Sequence, residues 1–303
     1  MNDEILESKF LGCMLGSAIG DALGRPREGS GISRNEDFEF EGSYTDDTEM
    51  MIGIAESLIE KRGFDGKHMA HTFIRNFDPT RGYGLGPPRV FGLIMSGEKW
   101  NEASKRLFDG NGSFGNGASM RIAPIGLLYH GDFNRLRSIS YSSSQITHSH
   151  KLGKEGAALQ ACAIALALPE IPPSLEPLRI ITELSRLTEE TIYQRKLGMI
   201  QDLLNGSPRK KDVIVELGNG IEAFRSVPTA IYSFLSHLDS FKSAVVYAVS
   251  LGGDTDTIGA MTGAIAGAYH GFKGIPTGWV GRLENGEYIK TLAQRLWKLK
   301  SRI

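Results

Sequence analysis

The chain has 303 residues, 41% of them hydrophobic, which is enough to bury one large core or two ordinary ones. Its 34 basic and 35 acidic side chains leave a net charge of −1, which argues against a nucleic-acid-binding protein that acts through bulk charge. The acidic N-terminus, MNDEILESKF, does not look like a signal or transit peptide, and no apolar run approaches the roughly 20 residues of a membrane span. Cys13 and Cys162 lie in apolar patterns typical of reduced core thiols. We therefore expect an intracellular protein, cytoplasmic or, in a eukaryote, also nuclear, with no membrane or direct nucleic-acid partner.

Helical periodicity dominates the chain, without a succession of alternating strands. The segments that fit a 3.6-residue repeat are 4–24, 48–62, 67–77, 101–108, 118–129, 133–147, 153–168, 175–187, 191–204, 212–224, 228–237, 241–250, 257–271 and 287–300. Pro228 suits a first helical turn, and 169–173 and 205–208 are typical of breaks. No low-complexity linker divides the chain, so we expect a single all-α domain over residues 1–303, and a monomer.

Two predicted helices carry a glycine at every fourth position. These residues are Gly12, Gly16, Gly20 and Gly24 in the first helix, and Gly259, Gly263, Gly267 and Gly271 in the helix near the C-terminus. Each interior glycine costs up to about 1 kcal/mol of helix propensity relative to alanine. Because small residues let helix backbones approach closely, we expect both helices to be central and to pack tightly on neighbours or on each other.

Two acidic clusters adjoin apolar helical runs. The stretch GGDTDT places Asp254 and Asp256 between segments that look buried, and SYTDDTEMM places Asp46 and Asp47 directly before a helix. Asp and Thr are ordinary helix N-caps, so capping is an alternative for either cluster. Together the clusters hold more acids than caps use, which favours a metal site. Thr255 has no role in such a site, and we expect it to cap a helix or to face away from the metals.

A cage of carboxylate and hydroxyl oxygens selects hard cations, magnesium or manganese first. An EF-hand is excluded by spacing, because the twelfth position counted from Asp254 is Ile265 and from Asp46 is Ser57, not Glu. A zinc site is excluded because no Cys or His accompanies the acids.

Two glycine-rich loops are present, RGYGLG at 81–86 and GNGSFGNG at 110–117. The second contains G-x-G-x-x-G, but it lacks the preceding strand and the later acid of a dinucleotide-binding fold, and no Walker A loop occurs. A glycine-rich turn before a helix still suits a phosphate or diphosphate. Phe108 and Phe114, at or beside this loop, could stack on a base, although a plain loop with core aromatics is the alternative.

Taken alone, His148 in THSH is typical of a surface or capping histidine, and Glu28 in GRPREGS is typical of a solvated loop residue. No G-x-S-x-G nucleophile elbow occurs, so serine hydrolase chemistry has no support.

In their order along the chain, these motifs resemble those of the ADP-ribosylglycohydrolase family, nearest its type-three branch, the serine ADP-ribosyl hydrolases. The matching stretches are GDALGRPRE, YTDDTEM, RGYGLG, GSFGNGASMRIAPI, QITHSHKLG, ELGNGIEAFRSVPTAIY and SLGGDTDTIGAMTGAIAGAYHG. The resemblance runs from about residue 8 to residue 300. It implies a compact orthogonal helical bundle with a binuclear magnesium centre at the bottom of a cleft.

The resemblance also implies roles for individual residues. One ion would be held by Thr45, Asp46, Asp47 and Asp256, and the other by Asp254, Asp256 and Thr257. The diphosphate and distal region of ADP-ribose would lie against Gly84, Ser113, Phe114, Gly115 and His148. The adenine pocket would be formed by Phe108, Phe114 and Ile221. Glu28 would be the catalytic acid or base, and its loop at 25–31 predicts a swing between a closed and an open position. Close relatives carry Tyr where Phe114 stands, so a hydroxyl hydrogen bond on the adenosine side would be lost.

We therefore expect a magnesium-dependent hydrolase of the O-glycosidic bond between ADP-ribose and serine on modified proteins. Poly(ADP-ribose) and O-acetyl-ADP-ribose are further candidate substrates. One alternative is cleavage of the arginine N-glycosidic bond on the same fold. The other is a non-enzymatic ADP-ribose-binding or crystallin-like relative, which would show a broken acidic cluster or lack the glutamate, whereas this chain keeps both.

Overall fold

The computed structural model describes residues 3–301. Its helices are α1 (Asp3–Gly24), α2 (Asp46–Lys61), α3 (Gly66–Asn76), α4 (Gly86–Met95), α5 (Ala123–Leu128), α6 (Phe133–Ser144), α7 (Lys151–Ala167), α8 (Pro177–Arg186), α9 (Thr191–Leu204), α10 (Lys210–Leu217), α11 (Ala223–Leu235), α12 (Phe241–Ser250), α13 (Thr255–His270), α14 (Thr277–Val280) and α15 (Gly286–Lys300). Short 3-10 turns lie at Arg25–Arg27, Pro79–Arg81, Ala103–Arg106, Phe108–Gly110, Asn116–Ala118 and Phe272–Gly274. Residues 3–301 contain no β-strand, only an isolated bridge between Gly115 and Glu222, which confirms the all-α prediction.

Helices α1 and α13 pack directly on each other through their glycine rows. The facing pairs are Gly12 with Gly267, Gly16 with Gly263, and Gly20 with Gly259, so the two helices run antiparallel. A Cβ atom on Gly20 would lie 2.0 Å from the carbonyl oxygen of Gly259, which is far inside van der Waals contact. Both rows are buried, as predicted.

The remaining core is built around this pair. Helices α7, α11 and α12 contact α13, while α15, from the C-terminal end of the chain, contacts α1. A continuous cluster of buried apolar side chains joins them, including Phe10, Phe234 and Ile258.

The division of the chain into domains stays a prediction. Within the described range, 3–301, no helix is both long and apolar enough to cross a membrane.

The antiparallel pairing brings the C-terminal end of α1 to the N-terminal end of α13. The Thr255 hydroxyl donates a hydrogen bond to the Gly24 carbonyl oxygen at 2.8 Å, which satisfies one of the acceptors left at the end of a helix. Thr255 therefore faces α1 and not the acidic cluster, which agrees with the second of its two predicted roles, facing away from the metals. This contact places the loop after α1, with Glu28, beside Asp254.

One helix was not predicted, and two predicted helices have the wrong bounds. Helix α4, which follows the loop RGYGLG, was missed; its prolines at 87 and 88 lie in its first turn, where proline fits a helix. The predicted helix 101–108 is two 3-10 turns, since Phe108 and Asp109 adopt positive φ values of 52° and 56°. The predicted helix 118–129 begins only at Ala123, with Pro124 in its first turn.

The region 212–237 also differs from its prediction. Gly218, at φ 92°, ends α10, and α11 begins at Ala223, whose N–H donates to the Phe114 carbonyl oxygen at 3.0 Å. Pro228 consequently lies inside α11 and not in its first turn. The earlier start of α11 fixes the segment 218–222 against the glycine loop, where it forms part of the site.

Candidate active site

The acidic segment that contains Asp46 and Asp47 is held in place by the carboxylate of Asp21, which the sequence analysis did not single out. Asp21 in α1 is fully buried and accepts hydrogen bonds from the Thr45 backbone N–H at 3.0 Å and from the Thr45 hydroxyl at 2.9 Å. It also accepts from the N–H and hydroxyl of Thr48, at 3.0 and 2.5 Å. Asp21 therefore fixes the N-terminus of α2, which carries Asp46 and Asp47. The available signal was an aspartate in the otherwise apolar or small second half of α1, MLGSAIGDALG.

The capping alternative holds for one cluster and fails for the other. Thr45 is a true N-cap, because its hydroxyl accepts from the Asp47 N–H at 3.3 Å. Asp254 occupies the N-cap position of α13 but makes no side-chain cap bond. Its backbone N–H instead donates to the Asn219 carbonyl oxygen at 2.9 Å. The Asp254 carboxylate therefore does not cap α13, and it lies instead with the carboxylates of Glu28 and Asp256.

Glu28 is held over the second acidic segment by its own loop. The Gly29 N–H donates to the Gly253 carbonyl oxygen at 2.8 Å, and the Gly253 N–H donates to the Ser30 carbonyl oxygen at 2.9 Å. One carboxylate oxygen each from Glu28, Asp254 and Asp256 lies within 4.8 Å of the other two. Three carboxylates at this separation form a group able to hold a metal ion.

The electrostatics of the cluster call for a cation. Burial, and then the neighbouring carboxylates, raise the pKa of Asp46 to about 8 and the pKa values of Asp47 and Asp256 well above the ordinary range. Among the described residues, no ion pair joins these aspartates or Asp254 to a basic side chain. Buried Asp47 Oδ1 has no hydrogen-bond partner. An orphaned carboxylate oxygen in a group of crowded acids fits a hard divalent cation.

The glycine loop forms the adjoining wall and is tied to the acidic cluster through Asn116. The Asn116 side-chain amide donates to Asp254 Oδ2 and to the Ser226 hydroxyl, the latter at 3.0 Å. Its backbone N–H donates to the Ile221 carbonyl oxygen at 2.9 Å. Sequence reasoning missed this asparagine, although it lies inside the GNG motif that was quoted.

His148 is buried, unlike the surface histidine that its local sequence suggests. Its Nδ1 lies 2.8 Å from the Thr147 hydroxyl oxygen. Burial, together with the nearby Arg121 guanidinium, lowers the pKa of His148 to about 3. The imidazole is therefore neutral over the physiological range of pH.

One cleft brings almost all predicted site residues together. Its lining includes twelve of them: Glu28, Asp46, Asp47, Gly84, Phe108, Ser113, Gly115, His148, Ile221, Asp254, Asp256 and Thr257. The cleft also contains residues that were not predicted, among them Asn116 and Thr147. It encloses about 240 Å³ and opens to solvent at Phe108 and Ile221, which are 59% and 68% exposed.

Two predicted residues lie outside this lining. Thr45 lies beneath the cleft, where it is bonded to Asp21. Phe114 packs instead against Phe224 and His150, with ring centroids 6.0 and 5.6 Å apart. The Phe114 ring therefore supports the glycine loop from the side, while its backbone remains part of that loop.

Comparisons with known proteins agree with this arrangement. A model of the ADP-ribosylglycohydrolase family matches residues 2–302. The chain belongs to the ADP-ribosylglycohydrolase family. It is 37% identical to "ADP-ribosylhydrolase ARH3" of Mus musculus, covering 96% of this chain and 92% of that protein, and 36% identical to the Homo sapiens protein of the same name, covering 96% and 93%. These findings confirm the resemblance and its type-three branch.

A solved structure supports the same fold. The chain superposes on an "ADP-ribosylglycohydrolase-related protein complex" with a TM-score of 0.78 and 26% identity, covering 98% of this chain and 99% of that one. The predicted helical bundle of this ADP-ribosylglycohydrolase is thereby confirmed.

Proposed function

We propose that this chain is a magnesium-dependent hydrolase that cleaves the O-glycosidic bond between ADP-ribose and serine on modified proteins. The observation that carries the proposal is the convergence of five carboxylates on the cleft that also contains the glycine loop. Those carboxylates are Glu28, Asp46, Asp47, Asp254 and Asp256. A cluster of acids beside backbone N–H groups suits a ligand with a sugar at one end and a diphosphate in the middle.

The cleft supports a division of ADP-ribose between an enclosed part and an open rim. Its volume of about 240 Å³ is below the roughly 300–1,000 Å³ of ordinary small-molecule pockets. The distal ribose and diphosphate would fill the enclosed part, against Gly84, Ser113, Gly115 and His148. The adenine would lie on the exposed apolar surfaces of Phe108 and Ile221, with Phe114 supporting the loop behind them.

We propose two magnesium ions in the acidic cluster, because carboxylate and hydroxyl oxygens are the ligands that magnesium prefers. Thr45, Asp46, Asp47 and Asp256 would hold one ion, and Asp254, Asp256 and Thr257 the other, with manganese as a substitute. The Thr45 hydroxyl donates its proton to Asp21 and accepts from the Asp47 N–H, so its oxygen keeps one lone pair for a cation. When bound, the ions supply the positive charge that orients the vicinal hydroxyls of the distal ribose.

Glu28 is the residue we propose as acid and base. Burial, and then the Asp254 carboxylate, raise the pKa of Glu28, which favours the proton-bearing form needed by a general acid. Cleavage at the anomeric carbon passes through an oxocarbenium-like transition state. The Glu28 carboxyl would give its proton to the departing serine oxygen or remove one from the attacking water. We also propose that the loop 25–31 lets Glu28 move away to admit substrate.

A side-by-side assay tests the proposal. Serine- and arginine-ADP-ribosylated peptides are incubated with the protein, with magnesium present or chelated, and released ADP-ribose is measured. We expect release from the serine peptide only, and only with magnesium. Release from the arginine peptide alone would favour the N-glycosidic alternative, and the absence of release from both would contradict hydrolase activity. Poly(ADP-ribose) and O-acetyl-ADP-ribose are assayed in parallel.

A further inference from the structure

Arg121 is a buried cation behind the cleft that makes no close ion pair. Its pKa is lowered by burial, although the Asp46 carboxylate is near enough to favour its charged form and so to raise the pKa. Its side chain is fully buried, and its guanidinium carbon lies 4.8 Å from the centroid of the Phe73 ring. Within residues 3–301 no ion pair includes it, and its Nε has no hydrogen-bond partner. Removing a guanidinium from water costs hydration free energy, so the polar contacts that Arg121 does make are informative.

The polar contacts of Arg121 lead toward His148. Arg121 Nη2 donates to the Thr147 hydroxyl oxygen at 2.8 Å, and Nη1 donates to Met50 Sδ at 3.3 Å. The same Thr147 oxygen lies 2.8 Å from His148 Nδ1. Arginine has only donors, so the Thr147 oxygen must act as an acceptor toward it.

The direction of the second hydrogen bond follows from the first. Thr147 is 1% exposed, and its hydroxyl carries a single proton. If His148 Nδ1 also donated to this oxygen, the hydroxyl proton would have to remain buried without an acceptor, which is costly. The favourable arrangement has Thr147 donating to Nδ1, which leaves the ring proton on Nε2.

We propose that Arg121 and Thr147 are positioning residues that fix the tautomer of His148, so that its Nε2–H serves as a neutral hydrogen-bond donor to a diphosphate oxygen of the ligand. The identity of the ligand rests on the proposed function. The position of the ring proton does not, because it follows from the hydrogen bonds of Thr147. The alternative tautomer would present a lone pair to an anionic oxygen and repel it.

The surroundings of the ring agree with this role. His148 Nε2 faces the glycine loop, where a Cβ on Gly117 would lie 3.0 Å from Nε2 and one on Gly115 would lie 3.5 Å from it. The glycine at 117 therefore leaves room for the ring edge beside the cleft. Because the imidazole is neutral at physiological pH, its ability to donate depends on the tautomer and not on added protonation.

Nitrogen-15 NMR of the ligand-free protein, with labelled histidine, tests the position of the proton directly. We expect His148 Nδ1 at the chemical shift of an unprotonated ring nitrogen and Nε2 at that of a protonated one, unchanged between pH 6 and pH 8. A proton on Nδ1 would overturn the proposal. No ligand is involved, so this result does not depend on the activity of the protein.

Binding of ADP tests the consequence, since ADP has the diphosphate but not the distal ribose. We expect Thr147→Val to weaken ADP binding by about tenfold and Thr147→Ser to restore it, because serine keeps the hydroxyl. Thr72→Val is the matched control, since it removes another buried threonine hydroxyl, in α3, that bonds only the His68 carbonyl oxygen.

The outcomes separate the two proposals. Unchanged ADP affinity in Thr147→Val, with its fold verified by circular dichroism, would refute the positioning role. If wild-type protein bound neither ADP nor ADP-ribose, the proposed function would fail, while the proton position measured on the ligand-free protein would still decide the tautomer.

Discussion

Replacement of Gly20 by alanine tests whether the packing of α1 on α13 depends on the absence of side chains. A Cβ at this position would lie 2.0 Å from the Gly259 carbonyl oxygen, 2.4 Å from its carbon and 2.9 Å from the Ala260 nitrogen. All three atoms belong to backbone, so no side chain can rotate away. To bring the 2.0 Å approach to an ordinary contact of about 3.4 Å, the two helices would have to separate by about 1.4 Å, and packed cores resist such a shift.

The expected cost follows from two opposing effects. Overpacking of a core costs roughly 1–3 kcal/mol, and the backbone contacts place Gly20→Ala at the upper end of that range. The gain in helix propensity returns up to about 1 kcal/mol. We therefore expect a loss of about 2 kcal/mol in the free energy of unfolding, and a melting temperature lower by roughly 5 °C.

Urea unfolding and thermal melts followed by circular dichroism measure this effect. Gly198→Ala in α9 is the matched control, because a Cβ there would meet no atom within 4 Å; we expect it to stabilise the protein by about 0.5–1 kcal/mol. A Gly20→Ala variant as stable as the wild type would refute the argument, because the helices would then tolerate a methyl group between them.

Three further predictions concern the site. Glu28→Gln should keep ADP-ribose binding, measured by calorimetry, and lose hydrolysis by about a hundredfold or more; loss of binding would make Glu28 a substrate anchor instead. Asp256→Asn should abolish hydrolysis by disrupting both proposed ions, and near-full turnover at low magnesium would disprove its bridging role. Without metal, stability should fall as pH rises from about 4 to about 8, because burial and like charges raise the pKa of Asp46 to about 8 and also raise those of Asp47 and Asp256. Magnesium should therefore raise the melting temperature more at pH 8 than at pH 5, and an equal increase would contradict the charge argument.

Local sequence predicted most of the helices because each buries an apolar face at helical spacing. The failures occur where one residue overrides the pattern. Helix α4 was not predicted, although Pro87 fits its first turn, where the missing N–H of proline would have no partner within the helix. The predicted helix 101–108 fails because Phe108, like the next residue Asp109, adopts a positive φ value that depends on the folded loop.

The two halves of the acidic cluster were recognisable because each is compact in sequence. The residues that orient these two halves could not be recognised from the sequence, because their function arises only from contacts between distant segments. Asp21 lies 24 residues before Thr45, and Asn116 lies 138 residues before Asp254. The contact of the Phe114 ring with Phe224 likewise joins segments that local sequence does not place side by side.

The pairing of α1 with α13 determines when this enzyme can be completed during synthesis. Gly24 and Thr255, which meet at the site, are separated by 231 residues. At about 5–20 residues per second, α1 would leave the ribosome roughly ten to fifty seconds before its partner. During that interval its glycine row has no helix to cover it, and the acids of α2 have no counterpart from Asp254 and Asp256. Recovery of activity on refolding should therefore report closure of this 231-residue loop, after most local helices have formed.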